Sequence, residues 1–459
     1  MSDQLSQSSQ LKPLKQLLKD FVLDAEGVLA TALETYGADR LRHWSATNLQ
    51  GINRSDLAID MFLTEGQVEG QSVPDLFIQE TPRLSQDEKA LIQSWKRAFN
   101  GLFVVLQVDA DCYEVKNWLT EKSYRVKPHE LQSSEELSRL SPGEILVTRL
   151  LPDGEDDWTF SGPLMLLGKL GKPKLAVAIG NFKNWFPHHL YGDAPELLES
   201  AWLSVERYHD SFVEFFGESR VTLPGHELNK RLQAYQDQMT QRHLEEVGID
   251  TSKSLKELVS ESGVSEAEVA ESAAVMGGDH LAVSHLLKSD QAIKMVMPPI
   301  NLPDELRRAD AVTIFVHPRW GQTFLKDYTR LTQLLASTEA EAATETAAAV
   351  DRIVQKYLQT DAVTPDVWRC LAEEQPEPLT AALRRYFNRP ALTLDELDQV
   401  LLEAGKPAEP VLPEIASAPV HLHNLFEEAL QEVNRNSSKK RPKDKRKPKS
   451  GFAGSGFAN

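Results

Sequence analysis

The sequence predicts an α+β fold: a small antiparallel β meander or barrel-like domain, a mainly helical C-terminal half, and a disordered basic tail. Three observations carry that prediction. The apolar spacing changes from helical to strand-like near Leu102. It returns to helical spacing from Ala194 onward. The end of the chain, residues 436–459, is made largely of Lys, Arg, Pro, Gly, Ser and Ala, which cannot supply a packed core.

The elements follow in order. Residues 12–35 form one amphipathic helix, with Pro13 in its first turn and Leu14, Leu17, Leu18, Phe21, Val22, Val28 and Leu29 on its apolar side. Trp44 and Leu49 fall in the turn region that follows. Residues 82–100 form a second helix, opened by Ser85 with Glu88 three positions on, the arrangement of a capping box. Strands are expected at Leu102–Val108, around Tyr113, Val115 and Trp118, at Tyr124 and Val126, at Glu144–Leu151 and at Trp158–Leu170. Ala110-Asp111, Ser141-Pro142-Gly143 and Asp153-Gly154 provide the turns. Leu175–Ile179 adds a further strand.

From Ala194 a helix runs through Trp202, Val205, Tyr208 and Phe212 to a stop at Gly217, its apolar face belonging to a core. Further helices are expected over 226–247, 253–262, 265–276, 279–288, 323–358, 365–387, 394–404 and 422–434. Val312–Val316 is a short strand among them. The Ala-rich stretch 336–349 has high helix propensity and little bulk, as in a solvated helix or tether. Pro-rich residues 406–419 are a linker. The domains are then 1–50, 51–193, 194–300, 301–405, 406–435 and the tail 436–459.

Composition narrows the function classes. The chain has 459 residues, 50 basic and 68 acidic, for a net charge of −18. Broad nucleic-acid or anionic-membrane contact is disfavoured on so acidic a body. Cys112 and Cys370 are the two cysteines and form no CxxC pair, so neither a disulfide framework nor a cysteine zinc site is expected. The polar start lacks a signal-peptide pattern, and no apolar run approaches the roughly 18 residues needed to span a bilayer. A cytoplasmic protein without membrane insertion is the expectation.

Asp75-Leu76-Phe77, Leu84-Ser85-Gln86-Asp87-Glu88-Lys89, Trp95, Gly101-Leu102-Phe103 and Tyr124-Arg125-Val126 form one spread pattern. Gly143-Glu144-Ile145-Leu146, Arg149-Leu150-Leu151-Pro152 and Phe160-Ser161-Gly162 continue it. The pattern resembles a segment of poorly characterised bacterial proteins that often carry a SEC-C zinc tail, over roughly residues 55–170. The resemblance implies a β-rich accessory domain and no inherited activity. The SEC-C cysteines have no counterpart here, so zinc is not implied.

The candidate binding residues lie in the tail. Lys439, Lys440, Arg441, Lys443, Lys445, Arg446, Lys447 and Lys449 surround a single acid, Asp444, and Phe452 and Phe457 follow. Lysine and arginine neutralise phosphates by counterion release, and phenylalanine stacks on bases. Ser254–Ser265 resembles the start of a helix-turn-helix, but Glu266, Glu268 and Glu271 would repel phosphate where a recognition helix meets DNA. The expected function is that of a non-enzymatic adaptor or assembly factor. It would dock through its tail on ribosome or RNA, or on an acidic protein, with no cofactor. The alternative is a metal-dependent hydrolase of HD type using His188, His189, His209 and Asp210.

Overall fold

The computed structural model describes residues 2–109, 112–128, 137–154, 156–246, 302–337 and 343–439. The chain is α+β, as its periodicities predict. It divides into two compact units, one made of residues up to 199 with those from 418, the other of residues 200–417.

The first unit opens with helices where a single one was expected. Ser2–Leu23 and Val28–Ala46 are separated by Gly27, whose φ of 69° ends helical continuity. Pro13 lies inside the first helix, not in its opening turn. Trp44 is a buried helical residue, not part of a turn. Its indole Nε1 donates to the Trp185 carbonyl at 3.1 Å, and Trp185 Nε1 donates to the Thr47 carbonyl at 3.0 Å. Two helix ends are thereby tied by reciprocal bonds.

Helix Arg54–Glu65 starts at Asn53, whose side chain accepts from the amides of Ser55 and Asp56. A minimal hairpin follows, of β1 (Gln67–Val68) and β2 (Gln71–Ser72), and then helix Val73–Glu80. The Ser85–Glu88 capping box is present, but its helix is Gln86–Ser94 and passes into a 3-10 turn at Trp95–Arg97. Phe99 therefore belongs to a strand, where pairing with Leu150 claims it.

Five strands form a closed barrel: β3 (Phe99–Val108), β4 (Tyr113–Asn117), β5 (Ser123–Lys127), β6 (Ile145–Pro152) and β7 (Asp157–Gly168). Their order around the barrel is β3-β4-β5-β7-β6. The expected meander does close into a barrel, but one of its neighbouring pairs is not antiparallel. Strand directions cannot alternate around a ring with an odd number of members, so one neighbouring pair must be parallel. That pair is β5 with β7; the others are antiparallel. Phe99, Phe103, Val115, Val126, Leu150 and Phe160 fill the interior.

β6 is buried along its whole length. Alternate residues of a strand point to opposite faces. Leu146 and Leu150 join the barrel core, whereas Leu151 joins the helical core of Leu14, Leu18, Phe62, Phe77 and Trp95. The N-terminal helices thus share a core with the barrel layer. Residues 175–179 are not a strand. They lie in helix Lys172–Trp185, where Leu175, Ala178, Ile179, Phe182 and Trp185 are buried at helical spacing. Five apolar-rich residues are too few to separate the two periods. Helix Val420–Lys439, longer than the expected 422–434, packs against that helix, and Lys172 pairs with Glu428 at 2.8 Å.

Helix Pro195–Phe216 ends at Gly217 as expected, with φ of 90° there. Ala201, Val205 and Phe212 of its apolar face are buried. The second unit centres on an antiparallel sheet of β8 (Arg220–Leu223), β9 (Val312–His317) and β10 (Gly321–Leu325), in the order β10-β9-β8. Central β9 supplies Val312, Ile314 and Val316 to one core and Phe315 to another. β8 and β10 were not anticipated. The hairpin with β9 takes residues 323–325 out of the expected helix 323–358, which is represented by Tyr328–Ala336 and Ala343–Gln359. Of the Ala-rich stretch 336–349, residues 343–349 are helical, and from Glu345 to Ala349 they are exposed or half-buried, as in the solvated helix expected; the same helix then continues into buried Val350, Val354 and Tyr357. The expected helix 365–387 is two, Pro365–Glu374 and Pro376–Phe387, interrupted at Gln375-Pro376. Residues 406–419 form no helix or strand, and Lys406 is buried there with its ammonium donating to the Thr360 carbonyl at 2.6 Å. Burial, partly opposed by Asp361, pushes that lysine down to about 8. The expected helices at 253–262, 265–276 and 279–288, and the helix-turn-helix look-alike, lie outside the described residues.

Helix Gly225–Glu246 begins beneath the turn Asp304–Arg307. A β-carbon at Gly225 would overlap the Leu306 carbonyl oxygen and lie 2.9 Å from the Arg307 carbonyl carbon. Both obstacles are backbone and cannot rotate away. Gly225→Ala is expected to destabilise the second unit by about 1–3 kcal/mol, the range of overpacked sites. Urea denaturation checks this, and an unchanged midpoint would contradict the packing described.

Candidate functional site

Four isolated charges interrupt apolar runs in the first unit. Lys15 stands among Leu14, Leu17 and Leu18, Asp60 within Leu57–Leu63, Glu65 at the end of the same helix, and Arg149 within Ile145–Leu151. The fold brings them together. Helix Ser2–Leu23 presents Lys15, helix Arg54–Glu65 presents Asp60 and Glu65 roughly a turn and a half apart, and the helical face of β6 presents Arg149.

Arg149 is fully buried. Its Nη1 lies 2.5 Å from Glu65 Oε1, its Nη2 donates to Thr64 Oγ1 at 2.5 Å, and its Nε is 3.6 Å from Asp60 Oδ2. Lys15 Nζ lies 2.7 Å from Asp60 Oδ1 and donates to Ser161 Oγ at 2.7 Å. Ser161 Oγ in turn donates to Asp60 Oδ2 at 2.7 Å. His189 closes the other end, with Nε2 at 3.3 Å from Glu65 Oε2. Its Nδ1 accepts from the Asn100 amide at 3.4 Å, which leaves the ring proton facing Glu65. Tyr36 donates to the same Glu65 oxygen at 3.4 Å.

The electrostatics follow from these distances. Burial alone would raise both carboxyl groups. For Asp60 that effect is outweighed by Lys15 and Arg149, which hold it below the usual range. For Glu65 it is outweighed by Arg149 and His189, which hold it well below. The Tyr36 hydroxyl is pushed up to about 12, by burial and then by Glu65. Both carboxyl groups are therefore held ionised inside the protein, each against a cationic side chain.

Gly162, beside Ser161, has φ of 68°, and a β-carbon there would come within 3.2 Å of the Asp60 carboxylate. Helices Ser2–Leu23 and Arg54–Glu65, the residues just before the latter, and strand β7 also line an open cavity of about 370 Å³, with the Lys15–Asp60 pair on its wall. Elsewhere in this unit Asp193 binds the barrel. Its Oδ2 accepts from Asn117 Nδ2 at 3.1 Å, Thr120 Oγ1 at 2.8 Å and Tyr124 OH at 2.5 Å.

The second unit has a smaller polar group. Arg220 reaches both Tyr328, at 3.2 Å, and Glu374, and Tyr328 OH donates to Glu374 Oε2 at 2.9 Å. His317 Nδ1 accepts from the amides of Arg319 and Trp320, at 3.0 and 3.2 Å, and so caps the β9–β10 turn. Burial, partly opposed by Asp366 and reinforced by His209, holds its imidazole below the ordinary value.

The residues singled out by sequence fare unevenly. Lys439 is the last residue of helix Val420–Lys439; Lys440, Arg441, Lys443, Lys445, Arg446, Lys447, Lys449, Phe452 and Phe457 lie outside the described residues. His188 and His189 form a 3-10 turn in the first unit, whereas His209 and Asp210 are helical neighbours in the second, 3.0 Å apart. Among the described residues, no group of three or more His, Cys, Asp or Glu is placed to hold a metal ion, these four included. His189 is engaged with Glu65 instead. The Lys15–Asp60–Arg149–Glu65 cluster did not emerge from motifs. Its signal was a lone charge in each of several apolar runs, which marks a buried partner. Compared with known protein families, curated proteins and solved structures, the chain matches none.

Removing one member of a buried pair leaves the other charge uncompensated, at a cost of about 3–5 kcal/mol. Arg149→Met is expected to show that loss near neutral pH. In the native protein, Glu65 and Asp60 contribute stability above their unfolded-state values, and this is lost as pH falls through their depressed folded values. Without Arg149, burial governs Glu65 and raises it, so protonation on acidification relieves the unpaired charge. The deficit against wild type should shrink between about pH 7 and about pH 5. Urea denaturation at both pH values measures it, and a deficit that grows on acidification would contradict the assignment.

Proposed function

We propose that this is a non-enzymatic cytoplasmic adaptor or assembly factor that docks on a polyanionic partner through residues 439–459. The observation that carries the reading is charge segregation. Eight basic residues and one acid occupy Lys439–Lys449, in a chain whose net charge is −18. The remainder is more acidic still, so it repels the surface that the basic segment attracts. Attachment through the segment then adds on-rate and salt sensitivity, with partner choice left to contacts elsewhere.

Two structural observations support this reading. The buried charges of the first unit are matched internally, as in a scaffold. Helix Val420–Lys439, which leads into the basic segment, is fastened to the first unit. Leu422, Leu425 and Ala429 are buried, and His421 Nε2 lies 3.1 Å from the Trp118 carbonyl. Among the described residues no helix is long and apolar enough to cross a membrane. The resemblance to proteins with SEC-C tails fits the same proposal, with a basic segment in place of a zinc-binding one. Of the polyanions, RNA suits the segment best, because Phe452 and Phe457 offer stacking surfaces beside the cations.

Fluorescence anisotropy with a labelled single-stranded RNA tests the proposal. The full chain is expected to bind with an affinity that falls between about 50 and 200 mM salt, by roughly 0.7 log units per log salt for each phosphate neutralised. A chain lacking residues 440–459 should lose this binding. Equal binding by the two chains would overturn the proposal. Displacement of the full chain by poly-glutamate, without measurable RNA binding, would assign the segment to an acidic protein partner instead.

A further inference from the structure

We infer that the cavity of the first unit is a binding site for a small organic carboxylate with a compact apolar body. Its volume of about 370 Å³ falls within the roughly 300–1,000 Å³ typical of small-molecule sites. The walls are of two kinds. Ile52, Leu63, Phe160 and Leu164 supply apolar surface, and Lys15 and Lys19, one turn apart on helix Ser2–Leu23, supply cations.

The lysines decide the sign of the ligand. An ammonium carries three N–H donors. Lys15 is only 8 % exposed, yet two of its donors are used, on Asp60 and Ser161. The third has no acceptor among the described residues. Lys19 lines the same cavity and makes no ion pair among the described residues. Two ammonium groups in one small space thus carry donors without an acceptor among the described residues.

The acids of the cavity do not cancel this. Asp60 is matched by Lys15 and by Arg149 behind it. Asp56 accepts from the Asn53 amide at 2.6 Å and sits in the first turn of helix Arg54–Glu65, where the helix dipole favours a negative charge. A ligand carboxylate between Lys15 and Lys19 would supply the missing acceptors, and its hydrocarbon part would cover the Phe160–Leu164 wall. A neutral isostere keeps the apolar contact and loses the charged one. A dianion would meet Asp56 and Asp60 with its second charge.

Isothermal titration of the full chain with phenylacetate, and with phenylacetamide as the neutral isostere, tests this inference. Phenylacetate is expected to bind saturably, at least about tenfold tighter than the amide, a difference of about 1.4 kcal/mol. Lys19→Met, at a partly exposed position outside the buried pairs, should fold normally by circular dichroism and lose that tenfold preference. Ile59→Phe, which narrows the cavity, should weaken both compounds together. The inference is overturned if phenylacetate shows no saturable binding, if acid and amide bind alike, or if the preference survives Lys19→Met. The chain lacking residues 440–459 serves as a control. A preference that disappears with that truncation belongs to the basic segment, and also overturns the cavity assignment.

Discussion

The first unit depends on one guanidinium buried between two layers. Arg149 lies on a strand whose other face fills a barrel, so it has no path to water. A buried cation of this kind is tolerable only with carboxylates in contact and its remaining donors bonded. Asp60 and Glu65 supply the carboxylates and Thr64 accepts from Nη2, all three from helix Arg54–Glu65, while Nε and Nη1 face those carboxylates as ion pairs without hydrogen-bond geometry. The helix is therefore held in one rotational setting over β6. Lys15 extends the constraint to the N-terminal helix, and His189 extends it to the turn after Lys172–Trp185.

The same contact specifies strand register. A shift of β6 by one residue would exchange its faces. Arg149 would then enter a barrel core of phenylalanine, tyrosine and aliphatic side chains, and Leu150 would meet Asp60 and Glu65. Apolar packing alone discriminates weakly here, because β6 is apolar on both sides. The charge supplies the discrimination. The second unit uses a different device for its own doubly buried strand. β9 carries no charge before His317, and its faces differ in size instead, with Val312, Ile314 and Val316 towards one core and Phe315 towards the other. Its ion pair, Arg220 with Glu374, joins strand β8 to helix Pro365–Glu374.

Local chemistry was the legible part of the sequence. The Ser85 capping box, the stop at Gly217, β6 and β9 follow from residue type and spacing over a few positions. What remained hidden depends on distant partners. The split at Gly27 interrupts a periodicity that continues on either side. β8 is four residues long, and its identity comes from pairing with β9 about 90 positions later. The parallel β5–β7 contact is a consequence of ring closure, which strand spacing does not encode. Residues 175–179 are helical because their burial pattern extends to Phe182 and Trp185, beyond the apolar run itself. The charged cluster was visible only as unexplained single charges. Pairing Lys15 with Asp60 needs contact between helices 45 positions apart, and no motif spans that interval.

Charge in the first unit is of two kinds, paired and unpaired. Arg149, Asp60, Glu65 and the first two donors of Lys15 are spent on one another, and their removal changes stability before it changes any interaction. Lys19 and the third donor of Lys15 are not spent in that way, and they share a cavity with an apolar wall. The cations from Lys439 onward are concentrated against a single acid in an otherwise acidic chain. In the cavity the surplus is positive beside charges that balance one another, and in the sequence from Lys439 it is positive within an acidic chain. A ligand that satisfies such a surplus need not disturb the buried pairs, because those pairs already close on themselves. The internal electrostatics of the first unit are therefore set by contacts among its own residues.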